Sequence, residues 1–146
     1  MSLRSSLKGI TDAILRFQVG TRCFTNGGLA VGFTATKVNL GTGIHYTIGN
    51  VAYTKAATND LFSHTDVRVQ ASGTTRYYLL TVNAAGDGTI TQGTSSALPE
   101  VPSGHCPVGY LKVVAAATFT PGTTAHNAAN ITTTYVNLSQ MPMTLA

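Results

Sequence analysis

The chain has 146 residues, nine of them Lys or Arg, five Asp or Glu and four His, with a formal net charge of +4. That length suits one domain burying roughly two-thirds of its unfolded surface, and no stretch approaches the ~20 apolar residues a membrane-spanning helix needs. One glutamate and four aspartates leave little material for paired-carboxylate catalysis, which needs two carboxyl groups flanking one bond.

Residues 2–19 carry the chain's helical pattern. Leu3, Leu7, Ile10, Ile14 and Phe17 recur at alternating intervals of four and three, the a/d seam of a heptad, which places them on one stripe. Arg4, Lys8, Asp12 and Arg16 fall at spacing four on a neighbouring face, where Asp12 can pair with Lys8 or Arg16. Gly9 weakens such a helix by about 1 kcal/mol relative to alanine, so it needs a partner surface: its own domain, sister copies or a separate protein. With Arg22, the arm holds a net +3 of the chain's charge. Four spaced cations fall short of a charge run, so nucleic acid is not the expected partner. Lys8, Gly9, Thr11 and Asp12 also interrupt any signal-peptide apolar run, and a soluble chain starting at its own Met1 is expected.

Gly20, Asn26, Gly27 and Gly28 end the helical pattern and read as a hinge. The division is thus an arm over residues 1–26 and a β-domain over residues 27–146 with an extended C-terminal tail. After Gly28, short runs rich in Val, Ile, Thr, Tyr and Phe alternate with Gly, Asn, Asp and Pro. They predict strands at Leu29–Thr36, Val38–Leu40, Ile44–Ile48, Val51–Lys55, Val67–Ala71, Arg76–Asn83, Thr89–Gln92, Val108–Ala116 and Ile131–Leu138. The fold class is mainly β: an antiparallel sandwich or barrel with a short N-terminal amphipathic helix. In the strand from Arg76, Tyr78, Leu80 and Val82 share one face while Tyr77, Leu79 and Thr81 share the other, so both faces should be covered. Ile48-Gly-Asn-Val51 predicts a tight hairpin, Ala84–Gly88 another, and Thr120-Pro-Gly-Thr123 a type II turn. Residues 123–130 read as an ordered loop. The tail 139–146 is uncharged and broken by Pro142, and such a terminus should tuck against a neighbour.

Charged residues amount to 10% of the chain, against about 25% on average, while threonine alone contributes 24 residues. Hydroxyls and amides that find new hydrogen bonds are far cheaper to desolvate than unpaired charges, so such a surface suits permanent subunit contacts. An oligomer is expected. Cys23 and Cys106 fit no metal-ligand spacing and read as small buried thiols. His64-Thr-Asp66 reads as a surface-loop pair, with no nucleophile elbow or strained turn beside it. His105-Cys106 has no ligand partners at a telling spacing, and Gly86-Asp-Gly88 and Gly41-Thr-Gly43 lack the context of a phosphate cradle. Neither a catalytic residue nor a cofactor or metal is expected.

Four segments carry a family resemblance: Tyr46-Thr-Ile-Gly-Asn-Val-Ala-Tyr-Thr-Lys-Ala56, Tyr77-Tyr-Leu79, Leu98 to Val113 with its Leu-Pro-Glu-Val-Pro and Pro-Val-Gly-Tyr-Leu-Lys-Val runs, and Asn130 to Leu138. With Ala13-Ile-Leu-Arg-Phe17, they resemble structural proteins of tailed bacteriophages over most of the chain after Gly43. The resemblance implies a virion protein of the capsid decoration (cement) kind, trimeric, made in the host cytoplasm and bound to the major capsid protein on the outer shell. In that reading the stripe Leu3, Leu7, Ile10, Ile14, Phe17, or the basic arm Arg4, Lys8, Arg16, Arg22, docks onto the shell. The alternative it implies is a short fibre, head-fibre or baseplate module presenting a host-recognition surface, and the loops around His105 and Asn127 fit either.

Overall fold

The computed structural model describes residues 20–138. The amphipathic helix expected over 2–19, with its stripe and with Arg4, Lys8 and Arg16, lies outside the described residues, as does the tail 139–146. The described chain is mainly β and contains ten strands and no helix. Its first five strands are β1 (Arg22–Cys23), β2 (Leu29–Val31), β3 (Val38–Leu40), β4 (Ile44–Ile48) and β5 (Val51–Lys55). There follow β6 (Thr58–His64), β7 (Thr74–Asn83), β8 (Gly88–Gln92), β9 (His105–Ala115) and β10 (Ile131–Asn137).

Seven strands form one sheet in the order β10-β9-β7-β8-β6-β3-β2, and β1-β4-β5 form a second, smaller sheet. The large sheet curls into a nearly closed barrel whose two edges meet: the Leu29 N–H of β2 donates to Asn137 Oδ1 of β10 at 3.3 Å. All its ladders are antiparallel except one, since β6 runs parallel to β8 from Phe62↔Gly88 to His64↔Ile90. That single parallel pair departs from the antiparallel sheet expected from sequence. It arises because β8 turns straight back along β7 in a hairpin, so β6 enters beside β8 from the same direction.

The interior is built by alternation. Tyr78, Leu80 and Val82 of β7, Val108, Leu111 and Val113 of β9, Phe62 of β6, Ile90 of β8 and Val38 and Leu40 of β3 are each at most 1% exposed, a burial that contributes about 1.5–3 kcal/mol per large side chain. The outer face of β7 is covered too, as expected: Leu79 and Thr81 are buried. The 93–104 connection is tied to this face at both ends, at Tyr77, whose N–H donates to Thr94 O at 3.1 Å, and at His105, whose Nδ1 lies 3.0 Å from Thr81 Oγ1. In β9 the register shifts between Leu80↔Gly109 and Thr81↔Pro107. The bulge left at Val108 accommodates a proline that has no N–H to give a ladder.

The turns follow their residues. Gly49 (φ 54°) and Asn50 (φ 69°) make the two-residue hairpin between β4 and β5, the left-handed pair of a type I′ turn. Asn50→Val, which places a β-branched side chain at positive φ, should cost about 1–2 kcal/mol and lower the thermal midpoint by several degrees in a calorimetric scan. Gly122 has φ 76° and the Thr123 N–H donates to Thr120 O at 3.0 Å, as a type II turn requires. Asn83 and Asp87 close the β7–β8 hairpin, with the Asp87 N–H donating to Asn83 Oδ1.

Several sequence expectations differ from the structure. The predicted strand Leu29–Thr36 stops at Val31, because the Gly32 N–H turns to Lys37 O. The predicted strand Val67–Ala71 is reduced to an isolated bridge between Gln70 and Phe119. Strand β6 was not expected: Asn59 and Asp60 hide its pattern. Asp60 sits at φ 56° at an irregularity of the β3–β6 ladder, with its N–H on Asn39 Oδ1 and its carboxylate accepting from the Thr34 N–H and hydroxyl. The residues expected as a hinge are part of the domain, for β1 pairs with β4 and Gly27 and Gly28 accept from Thr42 and Gly41.

Candidate functional site

The ladder register gives the barrel two distinct ends. At the near end, β7 finishes at Asn83 opposite His105, where β9 begins. The small sheet packs here: the Tyr46 hydroxyl of β4 donates to Asn83 O at 2.8 Å, and Cys23 of β1 and Cys106 of β9 share one buried cluster. Both limits of the described chain belong to this end. Gly20 O accepts from the Asn50 N–H of the small sheet, and the Leu138 N–H donates to Val108 O. Cys23 and Cys106 are buried free thiols; burial pushes both up, Cys106 to about 12, so neither is a thiolate at neutral pH.

Arg22, the one residue of the expected basic arm within the described chain, lies on β1 with its guanidinium 5.6 Å from the centre of the Phe24 ring. Beside it the small sheet has a shallow depression of about 230 Å³ lined by Phe24, His45, Thr47, Ala52 and Thr54 along with the Tyr46–Tyr53 pair. That is less than the roughly 300–1,000 Å³ of small-molecule sites.

The far end is closed by three connections, 32–37, 65–73 and 116–130, which are bonded to one another. The His126 N–H donates to Ala35 O at 2.8 Å, and Gln70 and Phe119 exchange two backbone hydrogen bonds at 2.8 and 3.0 Å. Beneath them lies a polar cluster inside the apolar barrel. Gln70, fully buried, donates from Nε2 to Thr74 O and Val113 O and accepts from the Tyr78 hydroxyl at 2.9 Å.

Beside this cluster, His64 Nε2 and His126 Nε2 lie 2.9 Å apart. The His126 ring is buried and packs on Phe119 with centroids 5.9 Å apart; His64 stands edge-on to Tyr78. Burial pushes His64 down to about 3 and His126 to about 4; the neighbouring imidazole adds to the fall of His64. Both rings are therefore neutral at pH 7, and one donates its proton to the lone pair of the other. The surface-loop position expected for His64 is not what it occupies, since it ends strand β6. Asp66 binds the Arg68 Nε at 2.6 Å, and His64 turns inward.

Sequence reading passed over His126, which shares no local pattern with a histidine 62 positions away; no motif could have joined them. Phe33, Val67 and Val69, exposed by 81%, 73% and 54%, stand on two of the three far-end connections. Among the described residues, no three of His, Cys, Asp and Glu gather where they could hold a metal ion, and no helix is long and apolar enough to cross a membrane. No family model matches the chain, and neither a curated protein nor a solved structure does.

Proposed function

We propose that this chain is a virion structural protein, a homotrimeric capsid decoration protein that binds the major capsid protein on the outer shell and stabilises it. The observation that carries the reading is the polarity of the domain. Gly20 and Leu138, through which the arm and the tail join it, are both held at the near end, so both points of attachment lie at one end of the barrel. A domain attached at one end and closed by ordered loops at the other suits an add-on to a surface. The low charge and the 24 threonines suit subunit contacts that are made once and kept. In this reading residues 2–19 form the amphipathic helix, with Leu3, Leu7, Ile10, Ile14 and Phe17 facing the shell or sister copies, while Arg4, Lys8, Arg16 and Arg22 meet acidic surface. Because it binds the assembled shell and not its separated subunits, such a protein stabilises the shell by mass action, by about 2.7 kcal/mol per site at a hundredfold excess over Kd.

The test has two parts. Light scattering of the purified chain should give the mass of three protomers, and the protein should co-sediment with capsids and raise their melting temperature. Leu7→Asp combined with Ile14→Asp should abolish capsid binding or trimer formation while the β-type circular dichroism persists. A stable monomer that ignores capsids would overturn the reading. The exposed Phe33, Val67 and Val69 favour a second reading, a fibre or baseplate module whose far-end loops touch a host surface. Binding to host cells in place of capsids, lost in Phe33→Ser, would select it.

A further inference from the structure

We infer that the contact between His64 and His126 is an acid-released latch, which holds the 116–130 and 65–73 connections over the far end of the barrel and frees them when the imidazoles take up protons. The contact joins the last residue of β6 to a connection that carries Phe119 over the core and is bonded to the 32–37 turn. Among the described residues His126 Nδ1 is buried with no side-chain hydrogen-bond partner, and the His64 ring supplies the side-chain hydrogen bond that this imidazole makes. Two neutral imidazoles satisfy one another; two imidazolium ions 2.9 Å apart cannot, since both would be donors and their charges repel.

The surroundings offer a protonated pair little relief. From the segment after β6, Asp66 favours the charged form of His64, but its carboxylate is already paired with Arg68. From the β2–β3 turn, the Lys37 carbonyl, which accepts from the Gly32 N–H, favours the charged form of His126. β7 contributes the ring of Tyr78 and the 116–130 connection the ring of Phe119, neither of which carries charge in acid. Burial outweighs the two favourable groups in both histidines. The opened form, with its rings in water and titrating near 6.5, therefore binds more protons than the closed form from about that value down to the closed-form values near 4 and 3. Closure is fully stable above pH 6.5 and weakens as pH falls.

Hydrogen exchange of the full-length protein, followed by NMR and corrected for intrinsic rates, tests this. Between pH 6 and 5, protection of the Gln70, Phe119 and His126 amides should fall about a hundredfold per pH unit, tenfold for each histidine that takes up a proton. The Leu80 and Leu111 amides, in the β7–β9 ladder, should hold theirs. His64→Gln, whose amide can still bond His126, should reduce the slope to about tenfold per unit; His64→Gln with His126→Gln should remove it. A slope no steeper in the native chain than in the single variant, or simultaneous loss at Leu80 and Leu111, would overturn the latch. The inference is independent of the proposed place in a virion.

Discussion

Gly109→Ala should destabilise the domain by about 3 kcal/mol or more, although it adds one methyl group. Gly109 lies in β9, paired with Leu80 on one side and Asn137 on the other. A Cβ there would collide with the Leu29 side chain of β2 and with the Val136 carbonyl oxygen of β10. A leucine can rotate aside; a carbonyl engaged in a sheet cannot move without its strand. The collision falls where the two edges of the barrel come together, so the expected damage is to closure, and the Leu29 N–H bond to Asn137 should be lost with it. The control is Gly104→Ala. Gly104 has φ 73° and open space around it, so that variant carries the conformational cost alone, about 1–2 kcal/mol. Urea unfolding of both variants separates the two effects: the midpoint should fall more for Gly109→Ala, and equal falls would show that the closing contact has no energetic weight.

Gln70→Leu should cost about 3–5 kcal/mol despite a near match in volume. The carbonyls of Thr74 and Val113 would lose their side-chain donor and the Tyr78 hydroxyl its acceptor, and each buried polar group left unpaired costs about 1–3 kcal/mol. Tyr78→Phe removes the hydroxyl from the same network, leaving Gln70 Oε1 and Gln92 Nε2 without it. The double variant should therefore lose less than the sum of the two, with a coupling of about 1–2 kcal/mol. Strict additivity in chemical unfolding would mean that water already serves the network.

Much of the β-domain was legible in the sequence where local grammar and tertiary burial agree. Val38–Leu40, Ile44–Ile48 and Val51–Lys55 have the bounds read from their apolar alternation, and the Gly49–Asn50 turn between the last two is written in residues that tolerate positive φ. Reading failed where a side chain serves a distant partner. The Val67–Val69 stretch has strand composition, yet Asp66 caps the Arg68 N–H and the run stays out of the sheet. Thr58–His64 looks polar, yet Asp60 turns at a ladder irregularity and its neighbour Phe62 is fully buried. The histidine pair was invisible for the same reason: its members meet through closure of the barrel, which no local pattern encodes. The helical stripe and basic arm, apart from Arg22, fall outside the described residues.

The meeting of β2 with β10 has a consequence for how the chain acquires its shape. Leu29 and Asn137 are 108 positions apart, so the seam cannot form on a ribosome until nearly all of the domain has emerged. Until then β2 is an open edge that could template pairing between nascent chains. At three residues it offers a short template, and the contact it awaits links the first part of the domain to the last. Folding should accordingly be slow for a protein of this size, in the millisecond-to-second range of sheets dominated by non-local pairing, with sealing of the seam as its final step.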